Sequence, residues 1–286
     1  MTLWLIYQSN DVKKNEWYIN QYLQLGKEVG LEIELVLTNE LTMICKEGTF
    51  ILLRNNQQVE LPRAAIIRAI EPKLSRFLES MGIRVFNRAI ISEICNDKAR
   101  TYQEIVPLHI PMIPTICCKH NDFGQVLEHI ELPAVVKTVD GHGGQEVFLI
   151  HTIDTLVNEI IDTTTSDYVV QPLVGMRHQD LRVYVLGNNI LSAILRTSSD
   201  GFKANYSLGG TVQEYELKEV EREIVEKILQ KFSFDLVGID FIIGDDGELI
   251  FNEIEDVVGA RMLYQCTDIN LVLEYLKYIK QQLCDI

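Results

Sequence analysis

The chain opens with an apolar run at residues 3–7, a stretch of helical spacing over 16–29 and the alternating segment LEIELVL at 31–37. Short apolar runs at 50–53, 64–67 and 83–86, with a helix near 74–81 that stops at Gly82, continue the alternation. Strands alternating with helices predict a mostly parallel sheet covered on both faces. After residue 95 the pattern changes. A helix, NDKARTYQEIV, runs up to Pro107 and is followed by the extended IPMIPTI at 110–116. Strands at 134–138, 147–150 and 168–171, with helices near 123–129 and 153–161, predict a small α+β unit. Strands at 181–186 and 190–196 joined at Gly187-Asn188-Asn189, a helix over 216–232, a strand pair over 236–255 and a final helix at 271–283 predict another. The expectation is three packed units, 1–95, 96–174 and 175–286, with no repeat or low-complexity linker.

The strand pair LVGIDFIIGDDGELIFNEIE at 236–255 carries the most chemistry. Asp246-Gly247 flanked by apolar residues predicts a two-residue hairpin loop. That loop sets Ile243 beside Ile250 and Asp240 opposite Glu253, with Glu255 two residues on and on the same face. Opposed like charges destabilise a sheet, so a cation is expected among them. Oxygen-only ligands favour a hard ion, Mg²⁺ or Mn²⁺, shared with a phosphate substrate. The competing reading is a solvated edge hairpin with incidental acids, against which stand the apolar Ile239, Phe241, Ile250 and Ile254.

Composition narrows the partners. With 41 acidic and 26 basic residues the formal charge is −15, a poor footprint for nucleic acid or an anionic membrane. Any anionic ligand must be held by local cations. The N-terminal segment shows no basic leader with a long apolar run, and no stretch approaches the roughly 18 apolar residues of a membrane span. The expectation is a cytoplasmic protein. No GxGxxG follows the first strand, which disfavours a dinucleotide site. Six cysteines without a CxxC pair and six histidines without HxxxH spacing disfavour a zinc enzyme.

Local cations are found in PAVVKTVDGHGGQEVFLI at 133–150, where Lys137 ends an apolar strand before Gly141, Gly143 and Gly144. Glycines let backbone N–H groups converge on phosphate oxygens, with Lys137 as a compact positive charge. A glycine-rich turn between two strands is also read as an ordinary mobile turn; it is no Walker loop, since GxxxxGK[ST] is absent. Farther on, GFKANYSLGGTV at 201–212 offers Lys203 and the Asn205 amide for oxyanions, or is a solvent loop.

These segments, in this order, resemble the ATP-grasp superfamily, in the branch holding the ribosomal-protein glutamate ligases and the amino-group-carrier ligases of lysine biosynthesis. The resemblance covers about residues 85–260. It implies a fold of α/β and α+β parts, with a parallel pre-ATP-grasp domain at the N-terminus and ATP held between two α+β subdomains. NDKARTYQ resembles the helix whose lysine, here Lys98, contacts phosphate. VVKTVDGHGGQEV resembles the second lysine, Lys137, with the loop Gly141, His142, Gly143 and Gly144 that closes over the nucleotide. YVVQPLVGMRHQDLRVYVLG resembles the hinge, with Gln171, Pro172 and Leu173 along the adenine, Asp180 facing the ribose and Arg182 beside it. LSAILRTSSDGFKANYSLGG resembles the strand whose arginine, Arg196, contacts the reacting groups, with Lys203 and Asn205 in the loop beyond. Asp240 and Glu253 are the implied metal ligands, and Glu255 is expected to join them, since a carboxylate there can still ligate the ion. Glu255 stands where the family has asparagine, and Asp256 to Arg261 replace its Ser-Pro-Gly-like turn. Pro172 replaces an acid, Glu146 a glycine and Lys203 an arginine.

The resemblance implies an ATP-dependent carboxylate-amine ligase with Mg²⁺ or Mn²⁺, acting on small-molecule carboxylates and amines such as amino acids or peptides. It also implies a homodimer or homotetramer. An acyl phosphate forms at a site with Lys98 and Lys137 on the phosphates, and Arg196, Lys137 and Asn205 serve the reaction. Arg261 either anchors a substrate carboxylate or pairs with Glu255 and Asp256. A phosphotransferase and a non-catalytic nucleotide-binding regulator are the other classes open to these residues.

Overall fold

The computed structural model describes residues 2–120, 127–142, 146–153, 166–175, 178–198 and 210–284. Strand β1 (Thr2–Tyr7), β2 (Glu32–Leu37), β6 (Ala64–Ile67) and β7 (Arg84–Phe86) form a parallel sheet in the order β2-β1-β6-β7. Its strands are apolar almost throughout because helices or loops cover both faces. Helix α1 (Glu16–Val29) lies on one face and α2 (Pro72–Ser80) on the other.

One expectation fails here. The apolar run at 50–53 belongs to β4 (Thr49–Arg54), which pairs antiparallel with β3 (Leu41–Lys46) and β5 (Gln57–Gln58) in a separate three-stranded sheet. The chain crosses from β2 to β6 through this meander with a single 3₁₀ turn at Thr38–Glu40 and no α-helix, so the strand-helix alternation is broken. A short run of apolar residues does not tell which partner it will pair with.

Helix α3 (Ala89–Cys95) leads into α4 (Lys98–Ile105), whose first turn is capped by the Asp97 side chain accepting from the Arg100 N–H at 3.0 Å. The central sheet is antiparallel, β10-β9-β11-β8, from β8 (Ile116–Cys118), β9 (Ala134–Thr138), β10 (Val147–Ile150) and β11 (Tyr168–Pro172). The helices expected near 123–129 and 153–161 lie outside the described residues, apart from a single 3₁₀ turn at Leu127–His129.

The third sheet, β14-β13-β12-β15-β16, is also antiparallel. It comprises β12 (Gln179–Leu186), β13 (Asn189–Thr197), β14 (Thr211–Tyr215), β15 (Leu236–Ile243) and β16 (Leu249–Glu255). Helix α5 (Glu219–Lys231) packs on one face, together with Ile91, Ile94, Tyr102 and Ile105 of α3 and α4. A short helix, α6 (Arg261–Cys266), and a longer one, α7 (Leu271–Cys284), follow. The apolar face of α7 joins Leu3, Leu5 and Tyr22 in one core, so the end of the chain covers the first sheet.

Asn87 fastens the N-terminal part to the third sheet. Its amide nitrogen donates to the carbonyls of Leu236 at 2.7 Å and Asp256 at 3.1 Å, and its oxygen accepts from the N–H groups of Asp235 at 2.7 Å and Leu236 at 3.1 Å. Four buried backbone groups depend on this one side chain, and a buried unpaired polar group is costly. No helix among the described residues is long and apolar enough to cross a membrane.

Candidate active site

Asp240 pairs with Glu253, as the sequence predicts, but by a different route. The hairpin loop is three residues long: the Gly244 N–H donates to the Glu248 carbonyl, and Gly247 turns the chain at φ 85°. A type I turn closed by a left-handed glycine gives this longer loop, and it shifts the pairing by one. Ile243 therefore lies opposite Leu249, and Ile250 opposite Ile242, which corrects the expected Ile243–Ile250 pair. A bulge between Phe241 and Asp240 then restores the register.

The expected cation among these acids is first of all the protein's own. Asp240, only 1% exposed, takes both Nε and Nη2 of Arg182 at 2.7 Å, and Nη2 of Arg196 at 2.7 Å. Arg182 also reaches Glu255 at 2.7 Å, and Arg196 holds Asp180 through Nε at 2.6 Å. Burial would raise Asp240, but the two guanidinia overcome it and hold the carboxyl down to about 2. One ligand oxygen from each of Asp240, Glu253 and Glu255 lies within 4.8 Å of the others. A divalent ion fits this trio: Glu253 is bonded to neither guanidinium, and Glu255 keeps a second oxygen.

Above the acids lies a cleft of about 330 Å³ between the central and third sheets. Lys98, Lys137, Gly141, His142, Gln171, Pro172, Leu173, Asp180, Arg196, Glu253 and Glu255 line it, whereas Arg182 and Asp240 stand behind its wall. Gly143, Gly144, Lys203 and Asn205, and with them the loop at 201–209, lie outside the described residues. Asp180 faces Arg196 on the neighbouring strand, and Arg182 faces Asp240 on the other side.

Both cleft lysines are held by neutral acceptors. Lys98, the first residue of α4, donates to the Gly141 carbonyl, and Lys137 donates to the Asn252 side-chain oxygen at 2.9 Å. Burial lowers Lys137 to about 8, with Glu253 opposing and Lys98 adding to the fall. Burial, then Lys98, also lowers His142, which keeps its imidazole neutral at pH 7. The stem of the loop is clasped by Glu146, which accepts from the Thr138 hydroxyl at 2.6 Å. A Cβ at Gly141 would come within 2.2 Å of that hydroxyl oxygen, so no other residue fits there without a shift. At the hinge, Gln171 donates to Thr115 at 2.8 Å while its own oxygen is buried without a partner among the described residues.

The turn after the acids is anchored from several elements. Asn96 donates to the Asp256 carboxylate at 2.9 Å, buried Arg68 to the Val258 carbonyl at 2.7 Å, and Tyr184 to the Gly259 carbonyl at 2.9 Å. Arg261 is exposed and pairs with neither Glu255, which is bound to Arg182, nor Asp256. Sequence reasoning gave no role to Arg68 and Asn87, which lie in no motif, nor to Asn96 and Asn252, which sit inside NDKARTYQ and the acidic strand pair; the bulge at Asn252 would have marked it, and a bulge is invisible in the sequence.

A family model described as the RimK-like ATP-grasp domain matches residues 95–279. The chain belongs to the RimK-like ATP-grasp family. Among curated proteins it is similar to β-citrylglutamate synthase B of Homo sapiens, 29% identical over 250 residues, covering 81% of this chain and 64% of that protein's length. Among solved structures it is similar to a RimK domain ATP-grasp protein from Sphaerobacter thermophilus, with a TM-score of 0.75 at 17% identity over 97% of this chain and 99% of that one. The ATP-grasp ligase PsnB, solved with a precursor variant, Mg and ADP, superposes with a TM-score of 0.70 at 14% identity over 98% of both chains. The ATP-grasp fold expected from the sequence is thereby established, with the family's domain over residues 95–279.

Proposed function

We propose that the whole chain is an ATP-dependent carboxylate-amine ligase, with ATP in the cleft between the central and third sheets, and subdomains at 1–95, 96–174 and 175–286. The observation that carries this reading is the convergence of Lys98, Lys137 and Arg196 on one cleft with Glu253 and Glu255, whose third companion Asp240 lies just behind the wall. Glu253 and Glu255, with what Asp240 has left to offer, would hold magnesium, or manganese, which when bound neutralises phosphate charge as a Lewis acid. Lys98 and Lys137 face the remaining phosphate charge. The unpartnered oxygen of Gln171 is an acceptor for the exocyclic amine of adenine, beside Pro172 and Leu173.

The chemistry these residues serve needs positioning more than a nucleophile. A substrate carboxylate oxygen attacks the γ-phosphorus, the bond to ADP breaks, and an acyl phosphate forms. A free amine then attacks the carbonyl carbon, the C–O bond to phosphate breaks, and the amide is released with the proton passing to solvent. Arg196 is placed to stabilise charge on the reacting oxygens. The similar human protein is named a synthase of β-citrylglutamate, and we assign this chain small carboxylates and amines, free or in peptides. The test is to incubate it with MgATP and pools of amino acids, dicarboxylates and short peptides and to measure phosphate release. Release that requires both a carboxylate and an amine is the expected outcome. A phosphorylated product formed without an amine would make it a phosphotransferase, and nucleotide binding without turnover a regulator.

Lys137 makes the reading pH-dependent. Burial leaves it at about 8 in the native chain, against 10.5 ordinarily. Over that window the native state has lost a proton that the unfolded chain keeps, so this group adds stability as pH rises. The charge available to phosphate is lost over the same window. MgATP affinity is therefore expected to weaken as pH rises through about 8, and Lys137→Arg to remove that dependence, both read by titration calorimetry.

A further inference from the structure

Strand β16 carries one residue more than its partner: Phe251 pairs with Phe241 and Glu253 with Asp240, which leaves Asn252 unopposed. Neighbours on a regular strand point to opposite faces, yet Asn252 and Glu253 both line the cleft. A bulge re-aims a side chain in this way. The re-aimed Asn252 accepts from the Lys137 ammonium at 2.9 Å, and its main-chain carbonyl accepts from the Tyr102 hydroxyl at 2.8 Å. Tyr102 is 3% exposed and sits one turn beyond Lys98 on α4. One bulged residue thus touches both elements that bring a lysine to the phosphates.

The type of residue matters as well. A carboxylate at this point would neutralise the ammonium and repel phosphate, whereas an amide oxygen orients the ammonium and leaves its charge available. We propose that Asn252 is the positioning residue for Lys137, setting its ammonium toward the triphosphate, and that Tyr102 holds Asn252 in the bulge that allows it. The inference rests on the assignment of Lys137 to phosphate made above.

The experiment measures binding of the β,γ-imido analogue of ATP with magnesium by calorimetry, which needs no knowledge of the other substrates. Asn252→Ala is expected to weaken binding about tenfold, on the scale of one hydrogen bond to a charged group. Lys137→Met weakens it at least as much, and adding Asn252→Ala to Lys137→Met costs nothing further, since the residue acts only through the lysine. Asn252→Asp has the same shape but is expected to bind more weakly than Asn252→Ala, which a packing role would not produce. Tyr102→Phe gives a smaller loss that also disappears in the Lys137→Met background. Thermal unfolding of each variant separates these effects from loss of the fold. Wild-type affinity in Asn252→Asp, or an undiminished effect of Asn252→Ala in the Lys137→Met background, overturns the proposal while leaving the ligase reading in place. A native chain that takes up no nucleotide at millimolar concentration overturns both.

Discussion

Asp240→Asn is expected to abolish turnover and to lower the unfolding free energy by about 3–5 kcal/mol, the cost of removing one partner from a buried ion pair. The substitution keeps the shape of the side chain and removes its charge. Arg182 and Arg196 are both buried and both bonded to Asp240, so each loses its main counter-ion, and an amide nitrogen is pressed against guanidinium groups that only donate. The metal trio loses one of its negative charges at the same moment. Urea denaturation measures the first effect and phosphate release the second. Glu253→Gln is the comparison: Glu253 is bonded to neither guanidinium, so turnover should fall equally while the urea midpoint stays close to that of the native chain. If Asp240→Asn unfolds at the native midpoint, Asp240 is not the centre of the charge network.

Arg196 needs two substitutions to be read. Arg196→Ala is the simplest probe of turnover. The structure shows why that variant mixes two effects: it strips a guanidinium from Asp180 and from Asp240, leaving acids that are 13% and 1% exposed beside an empty space. A stability loss of about 3–5 kcal/mol is expected for Arg196→Ala. Arg196→Lys keeps the charge and loses the planar two-point contact. Its expected outcome is a folded protein whose kcat is down about 10²–10³-fold, the range for loss of one donor to a developing oxyanion, with MgATP affinity within a few-fold of normal. Calorimetry and initial rates in parallel decide it. A matched fall in affinity and kcat would remove Arg196 from the transfer step and place it in nucleotide binding.

The acid pair shows how far a sequence argument reaches and where it stops. Asp240 opposite Glu253 follows from a two-residue loop, and the pair is there, yet two errors cancel to produce it: the loop has three residues and the strand carries a bulge. A loop length read from Asp-Gly cannot detect an extra residue six positions away, because a bulge answers to packing on both faces of the sheet and not to local preference. The same limit explains the meander at residues 41–58. Its strand at 49–54 is legible as a strand, but whether it joins the parallel sheet or its own hairpin depends on contacts distant in sequence.

The sequence by itself determined most of the described strands and helices of the three units, the two lysines ahead of the hinge, the three acids and the ATP-grasp kinship that unites them. These are signals of spacing and residue type, carried within a few tens of residues. Only the tertiary structure decided what each charge faces: Arg182 and Arg196 neutralise Asp240 from 58 and 44 residues away, and Asn252 meets Lys137 across 115. Charges and hydrogen bonds act through space over a few ångströms, and the chain distance between two residues says nothing about that separation until the sheets have paired and packed.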